Sequence, residues 1–384
     1  MLTTVYYGEQ PPKTFRKSIF LAGPTPRSES VPSWRPDALA ILEKIGYDGV
    51  VFIPESRDGG RLADYSSMVE WEETYLNMAD SIPFWIPRNM DFLPGLTTND
   101  EWGVWKNSGK VVLGTPERAT HVRYQQHYAK KCLAPTADTL EATMELAVKM
   151  IGDGALRKDG ECEVPLIVWR TPSFQQWYAS QLHSGNRLDH ARVRWMHRTG
   201  PNKSFIFLWV LHVDVYVASE KRNKVNEFVI ARPDISTILM YHRHEVLLDS
   251  EIVLIREFRS PVSNETGFVW ELAGGSTFKG VTDPKTLAAD ECREEAGISI
   301  EPSRIKQHAA RQMVATLSAH KAHLFSVALT AGEILSLKAQ RGVAHGIASD
   351  SEQTYTEVLT LREILESSTV DWSMVGMIMS VLQA

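Results

Sequence analysis

Residues 270–298 read WELAGGSTFKGVTDPKTLAADECREEAGI, and this stretch decides how the C-terminal half folds. Trp270-Glu271-Leu272 follows a β-rich run, Gly274-Gly275 forces a tight turn, and Pro284 stands where a first helical turn tolerates proline. The pattern predicts a helix from about Pro284 to Ala296, closed by Gly297 in the left-handed cap position. Glu291, Glu294 and Glu295 fall at i, i+3 and i+4 of that helix, so their carboxylates share one face. Like charges at this spacing cost roughly 0.2–0.5 kcal/mol per pair in an isolated helix. A hard divalent cation removes that penalty, and carboxylate oxygens are the ligands Mg²⁺ or Mn²⁺ prefers.

The segment Asp290-Glu291-Cys292-Arg293-Glu294-Glu295-Ala296-Gly297-Ile298 resembles the end of the Nudix box. The resemblance implies an α/β/α fold with a mixed sheet, metal held by Glu291, Glu294 and Glu295, and a catalytic part for Glu295. Three departures stand out: Asp290 replaces the family arginine, Val281 or Thr282 occupies the upstream glutamate position, and the loop is one residue longer. Upstream, Ile255-Arg256-Glu257-Phe258-Arg259-Ser260-Pro261 followed by Trp270-Glu271-Leu272 resembles the ADP-ribose pyrophosphatase branch, which implies that Arg259 and Glu271 line a substrate pocket. By the same likeness the catalytic base comes from a distal loop, where Glu352 is the candidate, and a homodimer forms through this domain. Strands are expected at Phe205–Val217, Ser236–Tyr241, Ile252–Arg256 and His323–Ala328, with a closing helix at Asp371–Leu382.

A chain of 384 residues, 43% hydrophobic and 23% charged, describes an ordinary globular protein of two or three domains. The net charge of -6 gives no electrostatic case for a nucleic-acid partner. Cys132, Cys162 and Cys292 have no metal or disulfide spacing, which favours a reducing cytoplasm. No run reaches the roughly 18 apolar residues of a membrane span.

The N-terminal third alternates strand and helix patterns. Strands are expected at Ser18–Pro24, Val50–Pro54, Ile82–Ile86 and Lys110–Gly114, with helices at Trp34–Ile45 and Met68–Met78. That alternation argues for a doubly wound parallel sheet, whose ligands bind at the carboxyl ends of the strands. The loops Gly23–Arg27, Pro54–Asp58 and Pro87–Glu101 are therefore the ones to watch. In the last, Thr97, Thr98 and Asn99 open a helix whose free amides favour an anion, with Glu101 in the first turn. Arg27 and Arg35 are candidate phosphate contacts.

The glycine turn after the first of these strands, Trp71-Glu72 before Ala79-Asp80, and Thr97-Thr98-Asn99-Asp100-Glu101-Trp102-Gly103 together resemble the nucleoside 2-deoxyribosyltransferase family and its nucleotide N-glycosidase relatives over about residues 16–125. The resemblance implies a catalytic Glu101 at the anomeric carbon, a Glu72 contacting base or sugar, and Gly23, Thr97, Thr98 and Asn99 around the sugar or 5′-phosphate. The chemistry is coherent without the family. An N-glycosidic bond breaks through an oxocarbenium-like state that a fixed carboxylate stabilises or captures, while a second carboxyl, Glu72 or Asp80, helps the base leave. Transfer to water or to another base stays open.

Between the two domains, Asp138–Ile151 reads as an amphipathic helix, Leu166–Trp169 as a short strand and Phe174–Tyr178 as a helix start. The division expected is therefore 1–125, a docking segment 126–202, and 203–384. Two functional readings follow. One is a bifunctional nucleotide-processing enzyme that breaks an N-glycosidic bond and, with Mg²⁺ or Mn²⁺, a diphosphate such as that of ADP-ribose. The other makes the C-terminal half a non-hydrolysing nucleotide sensor that regulates the glycosidase.

Overall fold

The structure is a computed structural model and describes residues 1–26, 30–58, 64–276, 283–346 and 353–383. It divides into two compact units, Met1–Ile230 and Ala231–Ala384.

In the first unit, β1 (Thr3–Tyr6), β2 (Ser18–Phe20), β3 (Val50–Ile53), β4 (Ile82–Trp85), β5 (Val111–Gly114) and β6 (Thr136–Ala137) alternate with α1 (Arg35–Lys44), α2 (Tyr65–Met78), α3 (Thr97–Trp105) and α4 (Arg123–Cys132). Parallel pairing sets β1-β3-β2 beside one another and β4-β5-β6 beside one another. Parallel bridges Ile19–Ser81 and Ala22–Phe84 join the two sets. The strands are apolar on both faces, as a parallel sheet covered on both sides requires. Alternate residues sort cleanly between them: Phe20, Phe52, Phe84 and Leu113 pack with Trp71, Tyr75 and Trp102 from α2 and α3. Ile19, Leu21, Val51 and Val112 pack with Ala38 and Leu42 of α1 and with Met144, Ala147 and Ile151. Those last three belong to α5 (Leu140–Ile151), whose N-cap Thr139 accepts a hydrogen bond from the Ala142 amide at 3.2 Å.

Because α5 supplies one wall of that core, the segment expected to dock two domains is built into the first. Leu166–Trp169, expected as a strand, is a single helical turn after Pro165, and it leads into α6 (Pro172–His183). Phe174 and Tyr178 of α6 are buried with Trp209 of the hairpin β7 (Arg187–Thr199) and β8 (Phe205–Val217), which β9 (Arg222–Ala231) extends. The aromatics here are a packing cluster. The boundary expected at 202/203 falls in the turn of this antiparallel hairpin.

The second unit has a mixed sheet. β10 (Ile235–His242) runs parallel to β14 (Lys321–Ala328) and antiparallel to β11 (Glu251–Phe258), which pairs in turn with β15 (Thr354–Thr360). Short strands β12 (Phe268–Glu271) and β13 (Ala273–Gly275) add to β11 and β10. On one face lies α7 (Pro284–Ala296), burying Ala288, Cys292 and Ala296 against Ile238, Met240 and Val253. The other face is covered by α9 (Trp372–Leu382) with Met374 and Ile378, while α8 (Ala331–Ala339) adds Ile334 and Leu337 to the α7 side. Asp283 caps α7 by accepting from the Thr286 amide at 3.0 Å, and Gly297 closes it at φ +68°. This is the α/β/α layering expected, an architecture that many families share. Among the described residues no helix is long and apolar enough to cross a membrane, and the three cysteines are buried and free.

Candidate active site

The first candidate site lies where β2 and β3 end and α1, α2 and α3 begin, the carboxyl edge at which doubly wound sheets bind ligands. Gly23 follows β2 at φ +145°, and a Cβ there would stand 2.2 Å from the Trp85 carbonyl oxygen, so only glycine lets the turn cross the end of β4. The turn is fastened from beneath by α1. Arg35, 1% exposed, donates to the carbonyls of Leu21 at 3.2 Å and Gly23 at 2.9 Å, and to Thr25 Oγ1 at 3.1 Å. Its charge is met by Glu55 Oε1 at 2.5 Å, and Glu55 also accepts from the Ser33 hydroxyl at 2.9 Å. Trp34 Nε1 donates to the Pro24 carbonyl at 3.0 Å. Arg35 is thus a buried brace of the turn, and a phosphate would have to compete with Glu55 for it.

Glu72 on α2 and Glu101 on α3 are both half-buried. Burial pushes the Glu72 carboxyl up to about 7, with the Arg35 charge opposing. Burial also pushes Glu101 up to about 8; the Glu72 charge adds to the rise, Arg35 opposes it, and Asp100 contributes further. The two carboxyls therefore feel one another and a common guanidinium. Coupled acids of this kind lose their protons in two steps that belong to the pair. Between about pH 7 and 8 the pair holds one proton, which is the condition for one carboxyl to act as acid while the other bears charge.

Helical spacing sorts the remaining residues of α3. Thr97, four residues before Glu101, lies on the Glu101 face. Thr98 is buried, and Gly95 beside it packs on Pro24, since a Cβ at Gly95 would meet Pro24 Cβ at 2.8 Å and Thr98 Oγ1 at 3.4 Å. Asn99 points elsewhere: its Oδ1 accepts from Arg88 Nη2 and from Gln125 Nε2, each at 2.6 Å. With Arg88, Trp102, Tyr124 and Gln125 it lines a separate cavity of about 380 Å³ that neither Glu72 nor Glu101 lines. Glu101 also sits in the second turn of α3, because the helix starts at Thr97 without a side-chain cap.

Asp80 is corrected outright. Its two oxygens accept from Arg157 Nη1 at 2.9 Å and Nη2 at 2.6 Å, from the Ser18 amide at 2.9 Å and hydroxyl at 3.0 Å, and from the Leu166 amide at 2.8 Å. Both partners of this ion pair are wholly buried, so no acceptor capacity is left for a substrate. Glu55, Arg88 and Gln125 were not singled out by sequence. Only the placement of Glu55 after β3 could have pointed to it. Arg27 lies outside the described residues.

In the second unit, Glu295 is buried and its Oε2 accepts from the Gly274 amide at 2.9 Å. Glu291 lies against Gly275, where a Cβ would stand 2.5 Å from its Oε1. Glycine at 275 therefore gives Glu291 room against the β13 backbone, while at 274 a Cβ would stand 2.4 Å from the Ser236 carbonyl oxygen of the neighbouring strand. Glu294 turns outward to Arg293 at 3.2 Å, and Asp290 pairs with the same arginine at 3.1 Å. The trio expected to converge is thus divided, two in and one out. Arg259 donates to Glu271 Oε2 at 2.9 Å and to Glu257 Oε1 at 3.1 Å, so both expected pocket residues are engaged with one another. The Glu295 charge also reaches Arg259. Glu352, with Val281 and Thr282, lies outside the described residues.

The first unit is thus a doubly wound parallel domain with two carboxyls raised by burial and reached by the charge of Arg35. A family model described as nucleoside 2-deoxyribosyltransferase like matches residues 16–119, so the chain carries an N-terminal nucleoside 2-deoxyribosyltransferase-like domain. No curated protein matches the chain.

Proposed function

We propose that the N-terminal unit breaks the N-glycosidic bond of a nucleoside or nucleotide, with Glu101 and Glu72 as its two working carboxyls. The observation that carries this reading is the placement of two half-buried carboxyls, both raised by burial and both reached by the Arg35 charge, beside the turn that follows β2. The single proton of the pair rests mainly on Glu101, whose value is the higher, and the productive form is the tautomer in which that proton stands on Glu72 and the charge on Glu101. Glu101 then faces the anomeric carbon and stabilises or captures the oxocarbenium-like centre, while Glu72 gives its proton to the departing base. Gly23 and Thr97 border the sugar end. The sugar passes to water or to a second base.

For the C-terminal unit we propose metal-dependent cleavage of a diphosphate-linked nucleotide such as ADP-ribose. Supporting this is the placement of Glu291 and Glu295 at the Gly274-Gly275 strand, with Arg259 near. Mg²⁺ commonly takes only one or two protein carboxylates and completes its shell with water and substrate phosphate. Glu291 and Glu295 would hold it, and the ion would supply charge neutralisation and water activation when bound. Asp290, paired with Arg293 in place of the family arginine, favours the alternative in which this unit binds a nucleotide without hydrolysing it.

One experiment separates these. The full chain is incubated with nucleosides, nucleotides, NAD and ADP-ribose, with and without Mg²⁺, and free base and phosphate products are resolved by chromatography. Base release is expected without metal and is lost in Glu101→Gln. Diphosphate cleavage is expected only with Mg²⁺ and is lost in Glu295→Gln. Base release unchanged in the first variant rejects the assignment of Glu101, and ADP-ribose bound but never cleaved selects the sensor reading.

A further inference from the structure

A third cluster lies apart from both sets of carboxylates, at the open end of the β10–β11 pair. His242 and Glu251 are cross-strand partners where β10 ends and β11 begins, and His244 stands two residues into the connecting loop. The loop is pinned there by the His244 amide donating to Ser250 Oγ at 3.2 Å. One ligand atom from each of the three residues lies within 4.8 Å of the others. The two imidazoles meet edge to face with centroids 5.0 Å apart.

Two details distinguish this group from a chance gathering of polar side chains. His242 Nδ1 lies 2.8 Å from the Leu329 carbonyl oxygen, so that nitrogen carries the proton and the other ring nitrogen keeps its lone pair. A ligating histidine is oriented in this way, its second nitrogen donating to a backbone carbonyl or carboxylate. His244 Nε2 is 3.2 Å from Glu251 Oε2. Two ligands on a tetrahedral ion with bonds of about 2.0–2.1 Å stand ~3.3 Å apart, so this pair is already spaced as one edge of such a shell. Lys338 Nζ takes the other carboxylate oxygen, Oε1, at 2.5 Å and leaves Oε2 to the histidines.

We infer that His242, His244 and Glu251 form a binding site for one divalent ion of the zinc class. Two imidazoles and a carboxylate suit Zn²⁺, Ni²⁺ or Cu²⁺, whereas Mg²⁺ and Ca²⁺ prefer oxygen. Three protein ligands leave a fourth position, and the exposure of His244 opens it to solvent. The bound ion ties the end of β10 to the start of β11, and in binding it converts the His244–Glu251 contact into two metal bonds.

The test uses the full chain, stripped with a chelator and dialysed free of it, in excess Mg²⁺ so that oxygen-rich sites are filled. Co²⁺ is added as the probe and visible absorption is followed, with Zn²⁺ titrated by calorimetry in parallel. One equivalent of Co²⁺ with the intense spectrum of a four-coordinate ion is expected, displaced by Zn²⁺. His244→Ala and Glu251→Gln are expected to weaken binding at least about tenfold, the loss that even an outer partner of a metal ligand can cause. Glu294→Gln is expected to bind as the parent does. His244 lies in a loop, so circular dichroism of its variant shows whether the fold is kept. Absence of the stoichiometric four-coordinate spectrum in the parent, or its retention at full affinity in folded His244→Ala, overturns the site.

Discussion

The two carboxyls of the first unit carry a cost that their surroundings make measurable. An acid whose folded pKa is raised holds its proton more tightly than the unfolded chain does, so stability is lost as pH rises above the ordinary carboxylate range and through the folded value. For Glu72 and Glu101 that window runs from 4.5 to about 7 and about 8. Glu101→Gln removes one ionisation and is expected to melt close to the parent at pH 4. At pH 9 it is expected to melt higher by an amount on the order of 1–3 kcal/mol. Base release by the parent should follow a bell with limbs at about 7 and about 8, measured as kcat/KM against pH. A flat profile across that range would remove the pair from the chemistry. Asp80 makes the opposite case. Removing one partner of a buried ion pair leaves the other charge uncompensated, so Asp80→Ala is expected to cost about 3–5 kcal/mol through Arg157. The unit melts lower by roughly 2–4 °C for each kcal/mol, and any loss of base release tracks the folded fraction. Sequence placed Asp80 correctly before β4 but could not reveal Arg157, 77 residues later, as its partner.

At the scale of an element, α2 shows how one strand end supports the site. Lys110 enters the buried layer just before β5 and donates from Nζ to the carbonyls of Leu76 and Asn77, each at 2.8 Å, with the Trp105 ring beneath it. These are among the last carbonyls of α2, where a positive group is favoured by the helix dipole. Burial nevertheless pushes the amine down to about 7. Lys110→Met fills a similar volume but orphans both acceptors, and a loss of about 1–3 kcal/mol is expected. Hydrogen exchange should accelerate first in the last turn of α2, which carries Glu72 on the turn before. Protection unchanged there would mean that the amine is not what holds that end. Helices and strands of this kind were legible because their signals are local: Pro284 and Gly297 bracket α7, and continuous apolar runs mark β2 and β3. Leu166–Trp169 was misread because a short apolar run has no period of its own, and the Leu166 amide is held by Asp80 from a distant part of the chain.

For the whole molecule, the useful question is where a chain that folds alone can end. The reading from sequence closed the first domain at 125, where the resemblance to the nucleoside 2-deoxyribosyltransferase family ends. The packing places that cut inside α4 and before α5, although Met144, Ala147 and Ile151 of α5 form part of the wall against which β2, β3 and α1 are buried. Residues beyond 125 also provide Arg157, without which Asp80 is a lone buried charge. Cutting at 202 is no better, since β7 would lose β8, and with it Trp209, which is wholly buried among the aromatics of α6. Only the division at 230/231 leaves these layers whole. A fragment of residues 1–230 is therefore expected to unfold in one cooperative transition and to release base at a rate within about twofold of the full chain, since every group of the proposed site lies within it. Fragments 1–125 and 1–202 are expected to show no cooperative melt, because each exposes buried apolar surface worth roughly 25 cal/mol per Å². Thermal unfolding by circular dichroism and the chromatographic assay check both statements. If the fragment 1–230 folds yet releases no base while the full chain does, the second unit takes part in the reaction itself, and the two activities cannot be assigned to separate units.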